Sequence, residues 1–170
     1  MGTGHEINVL CRAEYGGYRA AVIRAACAAL DFENVGLACE INIEITDNAG
    51  IRELNMEFRG KDSATDVLSF PMIEPERTGK LRGEQGGGRE FCGDINPENG
   101  AVVLGDIIIS GERAREQSAR INQSLERELM FLTVHSVLHL LGCDHELSEE
   151  HDLLMRKKQR EILDIICRKV

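Results

Sequence analysis

The chain has no tryptophan, two tyrosines, five phenylalanines and only three prolines in 170 residues. With so few rings, its core must rest on Leu, Ile, Val and Ala. No run of about 18 apolar residues is present, which excludes a membrane-spanning helix and a membrane partner of that kind. Residues 1–30 lack a basic start followed by an apolar stretch and a small-residue cleavage site, so no secretory segment is read there. No CxxC pair occurs among Cys11, Cys27, Cys39, Cys92, Cys143 and Cys167. Four of these lie in apolar periodic segments, where a free thiol behaves as a small hydrophobe. Reduced cysteines and a cytoplasmic location are therefore expected. Positive charge is also short: 20 Lys and Arg face 29 Asp and Glu, a net charge of -9. That balance weighs against a broad polyanion-binding surface, which depends on neutralising phosphates, but leaves room for a local basic patch.

What is present reads as one globular domain, with 42% apolar and 29% charged residues. Strict alternation in Ala38 to Thr46 places Ile41, Ile43 and Ile45 on one face and Glu40, Asn42 and Glu44 on the other, the pattern of a strand. Glu6 to Arg12, Thr65 to Phe70 and Ala101 to Ser110 read as three more strands. Helical spacing marks Tyr18 to Leu30, a segment capped by Asp47 or Asn48 and running to Phe58, and a segment from Arg113 to Asn122 capped by Ser110. Two further helices follow, one from Ser124 to Leu141 ended by Gly142, and one capped by Ser148. The stretch near 74–100, with its Gly86-Gly87-Gly88 triplet, reads as a long loop, and such loops in compact domains are functional or mobile. The expectation is an α+β (α/β-type) single domain over 1–170, a mixed sheet of about four strands covered by about five helices.

The chemistry concentrates in His135-Ser-Val-Leu-His139-Leu-Leu-Gly142-Cys-Asp-His145. Residues four apart on a helix share a face, so His135 and His139 can converge on one ion. Gly142 lets the backbone leave the helix and return His145 to the same ion. Three of five histidines within eleven residues is far from the chance pattern of isolated core histidines. The spacing is H-x3-H-x2-G-x2-H, that of metzincin zinc sites. Three protein ligands leave a position for water, the mark of a catalytic site, and one Zn2+ is the expected ion. Metalloproteases carry Glu directly after the first His as general base. Here that position is Ser136, which weakens a peptidase reading and leaves metal-assisted hydrolysis of a phosphodiester open. Asp144 and Glu146 flank the third histidine, and each is either an orienting partner for an imidazole or a solvated acid. His151 reads as a surface residue and His5 as unrelated to the site. Arg59 and Lys61 sit on a loop between helix and strand; Arg59 either pairs with a phosphate or salt-bridges a nearby acid. Thr65 and Asp66 read as turn residues that bond their own backbone.

The histidine segment, together with Asn55…Arg59-Gly60…Thr65-Asp66-Val67-Leu68-Ser69-Phe70-Pro71 and Leu104-Gly105-Asp106-Ile107-Ile108-Ile109-Ser110, resembles the YbeY family. These proteins are single-domain rRNA maturation factors regarded as metal-dependent endoribonucleases. The resemblance implies zinc on His135, His139 and His145, with Arg59 in the cleft as a catalytic residue toward RNA. It also implies a role in small-subunit rRNA 3′-end maturation and ribosome quality control. The partners implied are rRNA or the small ribosomal subunit, with ribosomal proteins as further candidates and no nucleotide cofactor. The chain departs from the family's HGxLHLxGxDH at Ser136, where Gly is usual, and at Cys143, where an aromatic is common. The 74–100 segment looks long and Gly-rich for the family. Two alternatives stand beside this reading: a metallopeptidase-like hydrolase, and a non-enzymatic ribosome-assembly factor with structural zinc.

Overall fold

The computed structural model describes residues 4–74, 81, 94–143 and 148–168. Among them, four strands form one sheet: β1 Glu6–Cys11, β2 Cys39–Thr46, β3 Val67–Pro71 and β4 Val102–Ser110. The order is β1-β2-β4-β3, with β1, β2 and β4 parallel and β3 antiparallel to β4. Five α-helices accompany them: α1 Arg19–Phe32, α2 Asn48–Arg59, α3 Gly111–Arg120, α4 Leu125–Leu140 and α5 Glu149–Arg168. The expected α+β domain with a mixed four-stranded sheet is therefore what the chain adopts.

The alternation in β2 decides which face is covered. Ile41, Ile43 and Ile45 are at most 1% exposed and share a core with Ile107 and Ile109 of β4 and with the apolar faces of α1 and α4. The opposite face carries a polar ladder, in which Asn8 donates to Asn42 (3.1 Å) and Asn42 to Asp106 (3.0 Å). Polar groups bonded across neighbouring strands can remain half-buried without an unsatisfied donor.

The helix boundaries follow their caps. Asp47 accepts from the Gly50 amide (2.8 Å), Ser110 from Arg113 (3.1 Å) and Ser124 from Arg127 (3.2 Å). Each bond satisfies one of the orphan donors of a first helical turn. Most elements begin or end one or two residues from expectation: the first helix runs to Phe32 rather than Leu30, and the helix after β4 spans Gly111–Arg120 rather than Arg113–Asn122. The third strand starts at Val67 rather than Thr65, where the chain bends at Asp66 and Asp66 Oδ1 takes the Val67 amide (2.9 Å). It also includes Pro71, which an edge strand accommodates. A short 3-10 turn over Ala13–Tyr18, unmarked by periodicity, links β1 to α1.

The expected 74–100 loop is described only in part, and its Gly86-Gly87-Gly88 triplet lies outside the described residues. Leu81 is fully buried and accepts the Gly36 amide at 2.9 Å. Asn96 and Asn99 both donate to Glu40 of β2 (2.6 and 3.0 Å), and Ile95 bridges Val102. The segment is thus pinned to the α1–β2 connection at Leu81 and to the sheet at Ile95, Asn96 and Asn99. The five described cysteines are free thiols, as expected; burial pushes the Cys39 thiol up to about 12, so it is protonated and inert at neutral pH.

Candidate active site

Helix α4 is apolar nearly all round and is the central helix of the molecule. Leu129, Leu132, Val134, Val137, Leu138 and Leu140 are buried, and the helix packs against α1, α3, α5 and the sheet. A helix hydrophobic on every side belongs inside. A close approach seats it. Gly105 of β4 has φ +142, and a Cβ there would lie 2.1 Å from the Phe70 carbonyl oxygen and 3.1 Å from Leu140 Cδ2. Only glycine lets β3, β4 and the last turn of α4 come this near. A β-bulge accompanies it: Glu40 pairs with Val103 and Ile41 with Gly105, leaving Leu104 as the extra residue.

On this fixed helix, His135 and His139 are half-buried and face each other. Their Nε2 atoms are 3.0 Å apart and their ring centroids 4.6 Å apart. Two imidazoles on a tetrahedral ion, with bonds of about 2.0–2.1 Å, place their nitrogens about 3.3 Å apart. The pair therefore needs to open by only about 0.3 Å to hold an ion between its lone pairs. Both donors aim the correct atom, so this much of the site fits zinc.

The helix then ends in a Schellman motif. Cys143 N donates to Leu138 O and Gly142 N to His139 O, both at 2.9 Å, with Gly142 left-handed at φ +82. This is the helix ending expected from the sequence at Gly142. His145, like Asp144 and Glu146, lies outside the described residues. The three-histidine site is accordingly not shown as a whole, and among the described residues no group of three metal-binding side chains occurs. Cys143 is half-buried against the core, consistent with packing.

His135 borders an open cleft of about 600 Å³ between α4, α5 and the start of β3. Its walls include Arg127, Arg156 and Arg160, with Asp66, Glu128 and Gln159. Sequence reading missed the arginines, Glu128 and Gln159. A signal existed: Glu128 and His135 are two turns apart on one face of α4, and Asp152, Arg156, Gln159 and Leu163 recur at helical spacing on α5. Arg156 is held by Asp152 (2.8 Å), and Arg127 donates to Cys167 Sγ (3.2 Å). Arg160 has no ion pair among the described residues.

Three carboxylates sit among these cations: Asp152 on Arg156, Asp66 and Glu128. Asp66 accepts from the Val67 amide (2.9 Å), the Thr65 hydroxyl (3.1 Å) and Gln117 Nε2 (3.1 Å). Of the expected bonds to local backbone, Asp66 makes one, to the Val67 amide, whereas Thr65 bonds the Asp66 carboxylate instead; Gln117 is added from α3. Glu128 is 4% exposed and accepts a short bond from Gln123. Burial lifts its carboxyl above the ordinary range and the Asp66 charge adds to this, while the Gln123 bond works the other way.

Arg59 is exposed at the end of α2 and is not among the residues lining the His135 cleft. Its loop is firmly built. Asn55 is buried and donates to Ser63 O (2.7 Å), Arg52 forks onto Asp62 (2.6 and 2.8 Å), and the Phe58 ring meets Phe70 edge-on at 5.0 Å. Lys61 is exposed on the same loop. His151 is exposed and bonds the capping hydroxyl of Ser148 (2.7 Å), a surface role as expected. His5 Nδ1 accepts the Cys39 amide at 3.3 Å, remote in the fold from the α4 pair.

The chain is similar to known proteins over most of its length. The model of the family described as Endoribonuclease YbeY matches residues 12–166. A protein of Caldanaerobacter subterraneus subsp. tengcongensis named Endoribonuclease YbeY is 42% identical over 148 residues, 87% of either chain. One of Clostridium botulinum (strain Eklund 17B / Type B), with the same name, is 48% identical over 136 residues, 79% of this chain and 80% of its own. The solution structure of TM1509 from Thermotoga maritima shares the fold, with a TM-score of 0.63 at 23% identity, covering 96% of this chain and 90% of that one. The matched residues include the helix that carries His135 and His139 and the cleft beside it, and the chain belongs to the YbeY family of endoribonucleases.

Proposed function

We propose that this chain is a zinc-dependent endoribonuclease of rRNA maturation, binding one ion through His135, His139 and His145. The observation that carries the reading is the His135–His139 pair, with Nε2 atoms 3.0 Å apart beside an arginine-lined cleft. A zinc ion supplies Lewis acidity toward a phosphodiester and a nucleophile available at neutral pH. The chain's own residues do the rest. Arg127 and Arg160 offer planar donors to backbone phosphates in the cleft. Arg59 binds phosphate on RNA that extends past the cleft toward the end of α2. On a chain of net charge -9, Arg127 and Arg160 give RNA a local foothold in this cleft.

The peptidase alternative is disfavoured by Ser136. Its side chain is fully buried and its hydroxyl has no hydrogen-bond partner among the described residues, so it is no substitute for a glutamate base. The family resemblance supports small-subunit rRNA 3′ ends as substrate, a role in ribosome quality control, association with ribosomal proteins and a cytoplasmic setting. Among the described residues no helix is long and apolar enough to cross a membrane.

Elemental analysis of the purified chain should give about one zinc per molecule, as three protein ligands imply. His145→Ala should lose the ion. Arg59→Ala should keep it and cleave rRNA fragments more slowly; equal cleavage would remove Arg59 from the reaction. Cleavage of a peptide panel by the zinc-loaded protein, with rRNA left intact, would favour the peptidase. Co-sedimentation with small subunits without any RNA cleavage would favour an assembly factor.

A further inference from the structure

The side chain of Gln159 reaches from α5 to the far side of the His135 ring. Its Nε2 lies 2.8 Å from His135 Nδ1, and Gln159 is 5% exposed. His135 therefore has one ring nitrogen toward His139 and the other toward a buried carboxamide.

The two nitrogens are chemically linked. In a neutral imidazole one carries the proton and the other a lone pair, and the partner of one decides the state of the other. When Gln159 donates N–H to Nδ1, the ring proton sits on Nε2 and bonds across to His139. When Nε2 holds a metal ion, the proton must sit on Nδ1, and Nδ1–H then needs an acceptor. A carboxamide carries both a donor and an acceptor. A half-turn about its last side-chain torsion exchanges Nε2 for Oε1 in nearly the same place. An apolar side chain would serve neither tautomer, and a carboxylate would serve only the metal-binding one.

Resting on the metal reading above, we propose that Gln159 is the positioning residue of His135, and that its carboxamide turns between donor and acceptor to match the tautomer the ring adopts. The residue touches no substrate in this role; it fixes ring orientation and sets how readily Nε2 presents its lone pair. Its place on α5 also couples the metal site to the packing of the last helix, since Met155, Ile162 and Leu163 of the same helix are core residues.

The test measures zinc affinity by competition with a chromophoric chelator for wild type, Gln159→Met and Gln159→Glu, without reference to activity. The Met variant preserves length and helix propensity, and circular dichroism of the zinc-stripped proteins checks that all three fold alike. Loss of such an orienting partner typically weakens metal binding about 10–100-fold. Gln159→Met should fall in that range and Gln159→Glu should bind at least as tightly as wild type. Ring 15N shifts of His135 should report Nε2–H in stripped wild type, Nδ1–H in zinc-loaded wild type, and Nδ1–H in the stripped Glu variant. If wild type binds zinc and Gln159→Met binds it within twofold, the positioning role is overturned while the metal site stands. If wild type itself binds no zinc, both fall together.

Discussion

Replacing Ser136 by alanine should make the protein more stable, although the residue sits in the middle of its central helix, next to a metal-ligand candidate. Ser136 is 0% exposed and its hydroxyl lacks a partner among the described residues. Leaving a buried polar group unpaired costs about 1–3 kcal/mol. Alanine also has the better helix propensity, by about 0.5 kcal/mol. The change removes one oxygen, so the cavity left behind is small. A gain of about 2 kcal/mol is the expected result, and for a chain of this size that raises Tm by about 4–8 °C. Ser136→Gly deletes the same hydroxyl but is less favourable than alanine in a helix by about 1 kcal/mol. It should fall below the alanine variant by that amount. Urea unfolding followed by circular dichroism, with zinc removed so that ligand binding adds nothing, measures all three. An alanine variant no more stable than wild type would refute the reasoning, because it would mean that the hydroxyl is satisfied by a carbonyl of its own helix.

Three further outcomes follow from named contacts. Gly105→Ala should destabilise the fold by at least about 3 kcal/mol, because its Cβ collides with the Phe70 carbonyl and the backbone is left-handed; thermal unfolding reads this directly. Gly142→Ala should cost about 1 kcal/mol in unfolding experiments through its left-handed backbone, and should weaken zinc binding in a chelator competition by misdirecting the chain after α4. Glu128 has a raised native carboxyl, so the native state holds its proton where the unfolded state has lost it. Its contribution is therefore present below the unfolded pKa and lost as pH rises through the native one. Glu128→Gln should match wild type in acid and exceed it in stability at pH 7, as denaturation at the two pH values would show.

The parts of the fold legible in the sequence were those with strong local signals. The isoleucine alternation of β2, the capping residues Asp47, Ser110 and Ser124, and Gly142 as a helix end each carry their cause within a few residues. The pairing of His135 with His139 was legible for the same reason, since helical spacing alone sets it. The cleft was not, because it forms where residues of α4 meet residues of α5 and Asp66 from before β3. Gln159 and Arg160 carry no motif; only the packing of α5 brings them beside His135. The pinning of the 74–100 segment by Leu81, Asn96 and Asn99 depended likewise on contacts far along the chain. Arg59 illustrates the limit of a motif: its block is braced by Asn55, Arg52 and Phe58 as a specific structure, yet its relation to the His135 cleft is decided by tertiary geometry.

The most direct test is cleavage of an rRNA fragment spanning a small-subunit 3′ end by one preparation of protein, assayed as purified, after zinc is stripped, and after zinc is restored, beside His139→Ala taken through the same steps. Cleavage should disappear on stripping and return with zinc, and His139→Ala should be inactive throughout. Undiminished cleavage by stripped protein, or wild-type cleavage by His139→Ala, would contradict a zinc-dependent endoribonuclease built on the α4 histidines.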